Sequence, residues 1–240
     1  MQKITFEERA VAFIDVLGFK SAVDLADQDS KSLEELEQLI HLLSSAIPSL
    51  DGSVTPSVPP ELMPKHIYVS DSIILSAPLT SSKMQSYKGL SILVMRVIQL
   101  THILLNKGYL IRGGISIGNV WHTRSNIVGV AYQEAHSLES QVIVPCVKLS
   151  PSARDHWDKT EGNDNKMCID YKNSFIVNGL HDYYILDKTH GAAMRAFESY
   201  NRIVDQNIKE SLTESVRYKW WWFKQYIHSE IKRNAFIVHA

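Results

Sequence analysis

The chain reads as an α/β protein, an α+β sandwich with a βαββαβ core and a helical C-terminal extension. Three observations predict this. Short apolar runs bounded by turn residues recur at residues 11–19, 66–77, 109–117, 127–130 and 146–149, the signature of strands. Segments with apolar residues at helical spacing lie between them, at 32–47 and 88–106. From residue 191 the pattern is helical almost to the end. The order βα, ββ, αβ, αβ suggests a sheet with helices on one face and not a doubly wound sheet.

Each element has a local reason. Val11, Ala12, Phe13 and Ile14 precede Asp15, and Val16 and Leu17 follow it. This is a buried strand that ends in a tight turn at Gly18. Ser32 can cap the 32–47 helix, with Glu35 three residues later as in a capping box. Leu33, Leu36, Ile40 and Leu43 then supply its apolar face. Residues 44–64 hold Pro48, Pro56, Pro59, Pro60 and Pro64, which predicts an irregular loop, long for a connection. A lid, a partner surface and a plain insertion all fit it. Residues 66–77 form two strands that meet at Ser70-Asp71-Ser72. The second helix, 88–106, has Gly108 just past its end as a left-handed cap. The strand at 109–117 carries Arg112-Gly113-Gly114 in its middle, where glycine permits a bulge or close backbone approach.

A short strand at 127–130, a helix at 131–140 and a strand at 146–149 follow, and Pro151 opens a further helical turn. Residues 161–166 read as a polar loop, and 174–177 and 183–186 as weaker strands. Domain boundaries are expected at 1–187 for the sheet domain and 188–240 for a helical extension packed on it. Within that extension Trp220, Trp221 and Trp222 are consecutive. Successive helical residues turn by about 100°, so the three cannot share one buried face.

Composition narrows the function. The 240 residues carry a net charge of −1, with 45 % hydrophobic and 21 % charged residues, an ordinary globular balance. No basic stripe is present, which argues against a long nucleic-acid partner. The longest strongly apolar stretch, 91–105, is interrupted by Arg96, Gln99 and His102, so no membrane span is expected. Cys146 and Cys168 are too few for a disulfide framework and lack zinc spacing. With no secretory signal, a cytoplasmic protein is expected.

Two carboxylates carry the chemical interest. Asp15 sits inside an apolar run, where an ionised carboxylate is costly unless paired or bound to metal. Asp71 stands at a hairpin tip flanked by apolar strand residues. Taken singly, the first could be a structural cap and the second a turn residue. Two carboxylates at two strand ends suit Mg²⁺ or Mn²⁺.

The motifs together resemble class III nucleotidyl cyclases. That family has a Phe-x-Asp-x-x-Gly-Phe strand end, a Gly-Asp hairpin, an Arg-x-Gly-Ile-x-x-Gly strand and a Gly-x-x-Val-Asn-x-Ala-x-Arg-x-Glu helix start. Here they read Phe13-Ile14-Asp15-Val16-Leu17-Gly18-Phe19, Ser70-Asp71, Arg112-Gly113-Gly114-Ile115-Ser116-Ile117-Gly118, and a helix start from Gly129 to Glu139. Val147-Lys148-Leu149-Ser150 resembles the following strand, and the match covers roughly residues 10 to 155. The family's catalytic Asn is Gln133 here and its transition-state Arg is Ser137, and the segment from Gly118 to Gly129 is short. These departures resemble the pyrimidine cyclases of bacterial Pycsar anti-phage defence.

The resemblance implies a fold, a reaction and residue roles. It implies that a class III cyclase-like domain converts UTP to 3′,5′-cyclic UMP and pyrophosphate with two Mn²⁺ (or Mg²⁺) per site. The product is a second messenger that activates a separate effector. Cyclic CMP from CTP is the alternative, and a non-catalytic nucleotide-binding module is an alternative of another class. Asp15, Asp71 and the backbone carbonyl of Val16 are implied metal ligands, and Leu17, Gly18 and Phe19 contact phosphate. Phe13, Ile67 and Asn126 are the base or ribose candidates; Ile67 and Asn126 stand where the purine enzymes place their readers. Gln133, Arg112 and Lys148 are further catalytic candidates, and Lys148, Lys172 or Arg124 could replace the missing Arg. A homodimer with sites at the interface is implied, with no nucleic acid and no membrane.

Overall fold

The computed structural model describes residues 3–52, 59–162, 166–181 and 190–233. Strand β1 (Glu7–Leu17) is its axis. Ala10, Ala12, Ile14 and Val16 face one core, while Val11 and Phe13 face another. Burial on both faces is why this strand reads as one apolar run and not as an alternation. It pairs antiparallel with β3 (Ser72–Pro78) on one side and β4 (Leu110–His122) on the other. β2 (Lys65–Val69) closes a hairpin with β3. On the far side of β4 come β6 (Val147–Leu149), β8 (Ser174–Val177) and β7 (Cys168–Tyr171). The order is β2-β3-β1-β4-β6-β8-β7, with β5 (Ile127–Gly129) paired only to β4. The β4–β6 pairing is parallel, and α4 (Val130–Ser140) fills part of the crossover between them.

Among the described residues six of seven helices pack on this sheet, and they cover both faces, where one had been expected. α2 (Ser30–Gly52), α3 (Gly89–Leu105) and α5 (Pro151–Thr160) share the core of Ala12, Ile14, Ile115 and Val147. α4 lies on the opposite face, its Ala131 and Ala135 against Val11, Phe13 and Val120. Beside it α6 (His190–Glu210) and α7 (Glu214–Arg233) cover Cys146, Ile169 and Ile176. The C-terminal helices thus bury the sheet face that α4 is too short to reach. α1 (Phe19–Ala26) buries no residue and packs beside α2.

Several boundaries differ from the sequence expectation. α2 starts earlier, because Asp29 and not Ser32 caps it: Asp29 accepts from the Ser32 N–H at 2.9 Å and from its hydroxyl at 2.6 Å. It also runs through Pro48 to Gly52, into the expected loop. Buried Ala46, Ile47 and Leu50 hold that last turn to the core and outweigh the lost hydrogen bond. Pro60–Leu62 forms a 3-10 turn, and the rest of the expected loop, 53–58, lies outside the described residues. β4 is longer than 109–117, because β1 and then β5 continue to pair with it. α1 and β7, eight and four residues long, are elements that the sequence reading did not expect. The expected strand at 183–186 and part of the polar loop at 161–166 lie outside the described residues. No helix among them is long and apolar enough to cross a membrane.

The tryptophan run divides as helical geometry demands. Trp220 and Trp222 are buried and Trp221 is 49 % exposed. Trp222 packs edge-on to Tyr171 at 5.4 Å. Trp222→Ala should therefore cost about 3–5 kcal/mol and Trp221→Ala no more than about 1 kcal/mol. Chemical denaturation of both variants measures the difference.

Candidate active site

The two strand-end carboxylates come together at one end of the sheet. Asp15 is opposite Ser72 on β3 and Arg112 on β4. Val69 and Ser72 close the β2–β3 hairpin, so Ser70 and Asp71 alone form its turn. Ser70 adopts φ 56° to make that turn. The Val16 N–H donates to the Asp71 carbonyl at 3.0 Å and pins the tip of the hairpin against β1. A strand residue's N–H and C=O lie on the same edge, so the Val16 carbonyl faces the hairpin too.

The Asp15 side chain is 12 % exposed. Burial pushes its pKa up to about 6, the Arg112 hydrogen bond pulls it down, and the Asp71 charge pushes it up again. Arg112 Nε donates to Asp15 Oδ2 at 3.0 Å, and Nη1 donates to the Val142 carbonyl at 3.2 Å. Glu139 Oε1 lies 2.8 Å from the same Nε. The single Nε–H points at Asp15, so Glu139 pairs with Arg112 by charge and not through that hydrogen bond. Asp15 and Glu139 thus share one guanidinium while the Asp71 charge acts on Asp15 as well, which leaves the site short of positive charge. Among the described residues no cluster of three or more His, Cys, Asp or Glu is arranged to hold a metal ion. The oxygens available are two carboxylates and a main-chain carbonyl, a hard donor set that fits an ion retaining water and phosphate ligands.

Beside this pair the chain turns sharply. Gly18 takes φ 93° and opens α1 with no side-chain cap. The first N–H groups of α1 therefore lack a side-chain acceptor, the arrangement that receives anions at helix N-termini. Leu17, Gly18 and Phe19 all lie at this turn.

The other candidates fall in different places. Phe13 is 8 % exposed and packs edge-on against His136 at 4.8 Å, with Tyr132 at 6.1 Å. That is a core position under α4, which leaves no face free to stack on a base. Ile67 is half-buried on β2, opposite Ile74. Asn126 is exposed in the β4–β5 turn, where its N–H donates to Thr123 Oγ1 at 3.0 Å. This turn lies at the end of β4 remote from Arg112, so the fold of one chain does not bring Asn126 to Asp15. Gln133 and Ser137 are exposed on α4. Lys148 is half-buried on β6, opposite Gly114 and on the face that α4 covers. Arg124 and Lys172 are remote from Asp15: Arg124 is in the β4–β5 turn, and Lys172 lies over the rings of Tyr171 and Trp222.

Glu139 is the site residue that sequence reasoning passed over. Its signal is present in hindsight. Ala131, Ala135 and Glu139 follow at four-residue intervals on the buried face of α4, and a carboxylate there requires a cationic partner.

No protein-family model and no curated protein matches the sequence. Among solved structures the chain is similar to the adenylyl cyclase CyaB from P. aeruginosa, with 14 % identity, 73 % of this chain and 94 % of that chain covered, and a TM-score of 0.46. It is similar to the guanylyl cyclase domain of the RhoGC fusion protein from the aquatic fungus Blastocladiella emersonii, with 14 % identity, 73 % and 96 % covered, and a TM-score of 0.48. A third is an adenylate/guanylate cyclase/hydrolase from Silicibacter pomeroyi, with 14 % identity, 72 % and 95 % covered, and a TM-score of 0.44.

Proposed function

We propose that this chain is a nucleotidyl cyclase that converts UTP to 3′,5′-cyclic UMP and pyrophosphate. The observation that carries the reading is the junction of Asp15 and Asp71, tied by the Val16 N–H to the Asp71 carbonyl beside an uncapped helix start. Asp15, Asp71 and the Val16 carbonyl would hold two Mn²⁺ or Mg²⁺ ions. When bound, such ions acidify the ribose 3′-hydroxyl and neutralise charge on the departing pyrophosphate. Leu17, Gly18 and Phe19 present backbone N–H groups to the triphosphate. Arg112 keeps the Asp15 carboxylate oriented and ionised, and Glu139 and the Val142 carbonyl hold Arg112 in turn. The 3′-oxygen attacks the α-phosphorus, the bond to pyrophosphate breaks, and the hydroxyl proton passes to solvent. Lys148, on the same sheet face, is the candidate to balance charge in the transition state; Gln133, exposed on α4, is a candidate partner for the ribose.

Base choice is assigned to Ile67 and Asn126. Ile67 has no polar group with which to read a purine edge. Asn126 both donates and accepts, as either pyrimidine requires. Because Asn126 is at the far end of its own β4, it serves the site of a second copy, and the active form is a homodimer. Residues 1–187 are the catalytic domain and 188–240 an extension packed on it. The cyclic nucleotide acts as a second messenger on a separate effector in anti-phage defence, in the cytoplasm.

The test is incubation of the folded protein and Mn²⁺ with each of the four ribonucleoside triphosphates, read by mass spectrometry. Cyclic UMP is expected. Cyclic CMP would move the assignment to a cytidylate cyclase, and no cyclic product from any triphosphate would reject the reaction. Asn126→Ala should change the ratio of UTP to CTP turnover; an unchanged ratio and rate remove Asn126 as the reader. A second reading, a module that binds nucleotide without turning it over, draws on the Arg112–Asp15 ion pair and on Gln133 and Ser137. Saturable nucleotide binding with no product distinguishes it.

A further inference from the structure

Two elements of the candidate site rest on one apolar cluster, and α7 builds the other side of it. Leu17, in the turn before α1, packs against this cluster. Val142 and Cys146, on the connection between α4 and β6, belong to it. So do Trp220, Trp222, Phe223, Tyr226 and Ile227 of α7. Phe223 and Tyr226 line a cavity of about 20 Å³ together with Leu110, Ile111, Pro145 and Cys146. That is room for about one water, so α7, β4 and the connection meet there with little slack.

Arg112 is anchored to that connection. The Val142 carbonyl accepts from Arg112 Nη1 at 3.2 Å, and the Cys146 carbonyl accepts from the Gly113 N–H at 3.0 Å. Residues 141–146 form neither helix nor strand. Without a ladder of its own, the segment takes its place from its buried side chains, Val142 and Cys146. α7 in turn is held in one register. The Tyr226 hydroxyl donates to Asn178 Oδ1 at 2.6 Å, and Asn178 Nδ2 donates to Glu230 Oε2 at 2.7 Å and to the Lys166 carbonyl at 3.1 Å. Tyr226, Asn178 and Glu230 are all buried, and Arg233 pairs with Glu230 from the rim. Sliding α7 along the sheet would strand these donors and acceptors away from water, which is costly.

We infer that α7 is a positioning element of the active site: Phe223 and Tyr226, acting through Val142 and Cys146, set the place of the Arg112 guanidinium beside Asp15. Arg112 Nε is shared between Asp15 at 3.0 Å and Glu139 at 2.8 Å. A shift of about 0.5 Å in its Val142 anchor is enough to change which carboxylate receives the Nε–H. Whatever moves α7 therefore moves Arg112, and through Leu17 it also bears on the turn proposed to face phosphate. The inference rests on the reading of Asp15 as a metal ligand, and it gives the C-terminal helices a part in that site beyond stability.

The full chain, labelled with ¹⁵N and free of divalent ions, is observed by NMR, and the Arg112 Nε–H resonance is identified by its loss in Arg112→Lys. Affinity for Mn²⁺ is measured separately by calorimetry. Phe223→Leu should shift that resonance and weaken Mn²⁺ binding about threefold or more. Tyr226→Phe keeps the ring and loses only the bond to Asn178, so it should shift the resonance in the same direction by less. Leu43→Ala is the control. It empties an equally buried place in the core on the other face of the sheet, and it should lower Tm with both readouts at wild type. A Phe223→Leu protein that melts lower with its Arg112 resonance unmoved overturns the inference. If that variant does not fold, an unmoved resonance in Tyr226→Phe overturns it instead. So does an equal shift in Leu43→Ala, or wild-type Mn²⁺ affinity where the resonance has moved. The resonance is read without metal, nucleotide or turnover. A chain that binds no Mn²⁺ or makes no cyclic product therefore fails the cyclase reading, and the resonance alone then decides this one.

Discussion

Asp15→Asn is expected to abolish turnover and at the same time to make the metal-free protein more stable. A carboxyl held at about 6 in the folded chain, against 3.8 in the unfolded one, costs the fold up to about 3 kcal/mol at neutral pH. Asparagine removes the buried charge and the repulsion from Asp71 while keeping an oxygen for Arg112. Part of the gain is offset by the weaker bond to Arg112, so a net rise of about 1–2 kcal/mol is expected, or several degrees in Tm. Turnover should fall about a thousand-fold or more, since an amide cannot supply the charge that the reaction requires. The pH dependence carries the signature. Between 6 and 3.8 the folded chain holds a proton that the unfolded chain has released, so Asp15 adds stability as pH falls through that window and loses it as pH rises through 6. His122 works the other way: its folded value is lowered, so its contribution is lost as pH drops below 6.5. The difference between the two proteins isolates Asp15. Thermal melts from pH 4 to 7 in chelator should show the stability advantage of Asp15→Asn shrinking toward acid. A variant less stable than wild type at pH 7 would mean that the carboxylate is structural, and full turnover would remove it from the site.

Gly114→Ala should destabilise the protein through a single methyl group. A Cβ at Gly114 would stand 2.4 Å from the Ala135 carbonyl oxygen and 2.7 Å from Leu138 Cβ. The first obstacle is helix backbone, so α4 itself must move off the sheet. Overpacking of this kind costs about 3 kcal/mol, roughly 6–12 °C in Tm for a chain of this size. The shift also reaches the site, because α4 carries Glu139, which pairs with Arg112, which orients Asp15. Affinity for Mn²⁺ should therefore fall along with stability. Gly52→Ala is the control: nothing stands within 4 Å of its added Cβ, and it should be neutral or slightly stabilising. Melting temperatures of the two variants, with Mn²⁺ titrated into each, check the prediction. A Gly114→Ala protein that melts like wild type would mean that α4 does not sit on β4 as described.

Much of the scaffold was legible because local rules and tertiary context agreed. The apolar run around Asp15 predicted β1, Gly108 marked the end of α3 with φ 81°, and the tryptophan run split as a 3.6-residue period requires. The misreadings have separate causes. Pro48 looked like a helix stop, but buried Ile47 and Leu50 kept α2 intact beyond it. α1 is only eight residues long, so its apolar Phe19, Ala22, Val23 and Ala26 span barely two turns and do not stand out as a helix. β7 is four residues long, below the length at which alternation is recognisable.

The candidate site divides in the same way. Sequence alone marked Asp15 as a carboxylate in costly surroundings, Asp71 as a carboxylate at a hairpin tip and Gly18 as a tight turn at the end of a strand. Those are consequences of residue type and immediate neighbours, so one dimension is enough to see them. Only the tertiary structure decided that Arg112 and Glu139 meet Asp15, that α4 covers Phe13, and that Tyr226, Asn178 and Glu230 form one chain of hydrogen bonds. Those partners are far apart in sequence and are joined by strand register and helix packing. Register depends on the whole sheet, and so does the electrostatic environment that holds the buried Asp15 carboxyl at about 6 and the buried His122 imidazole at about 3.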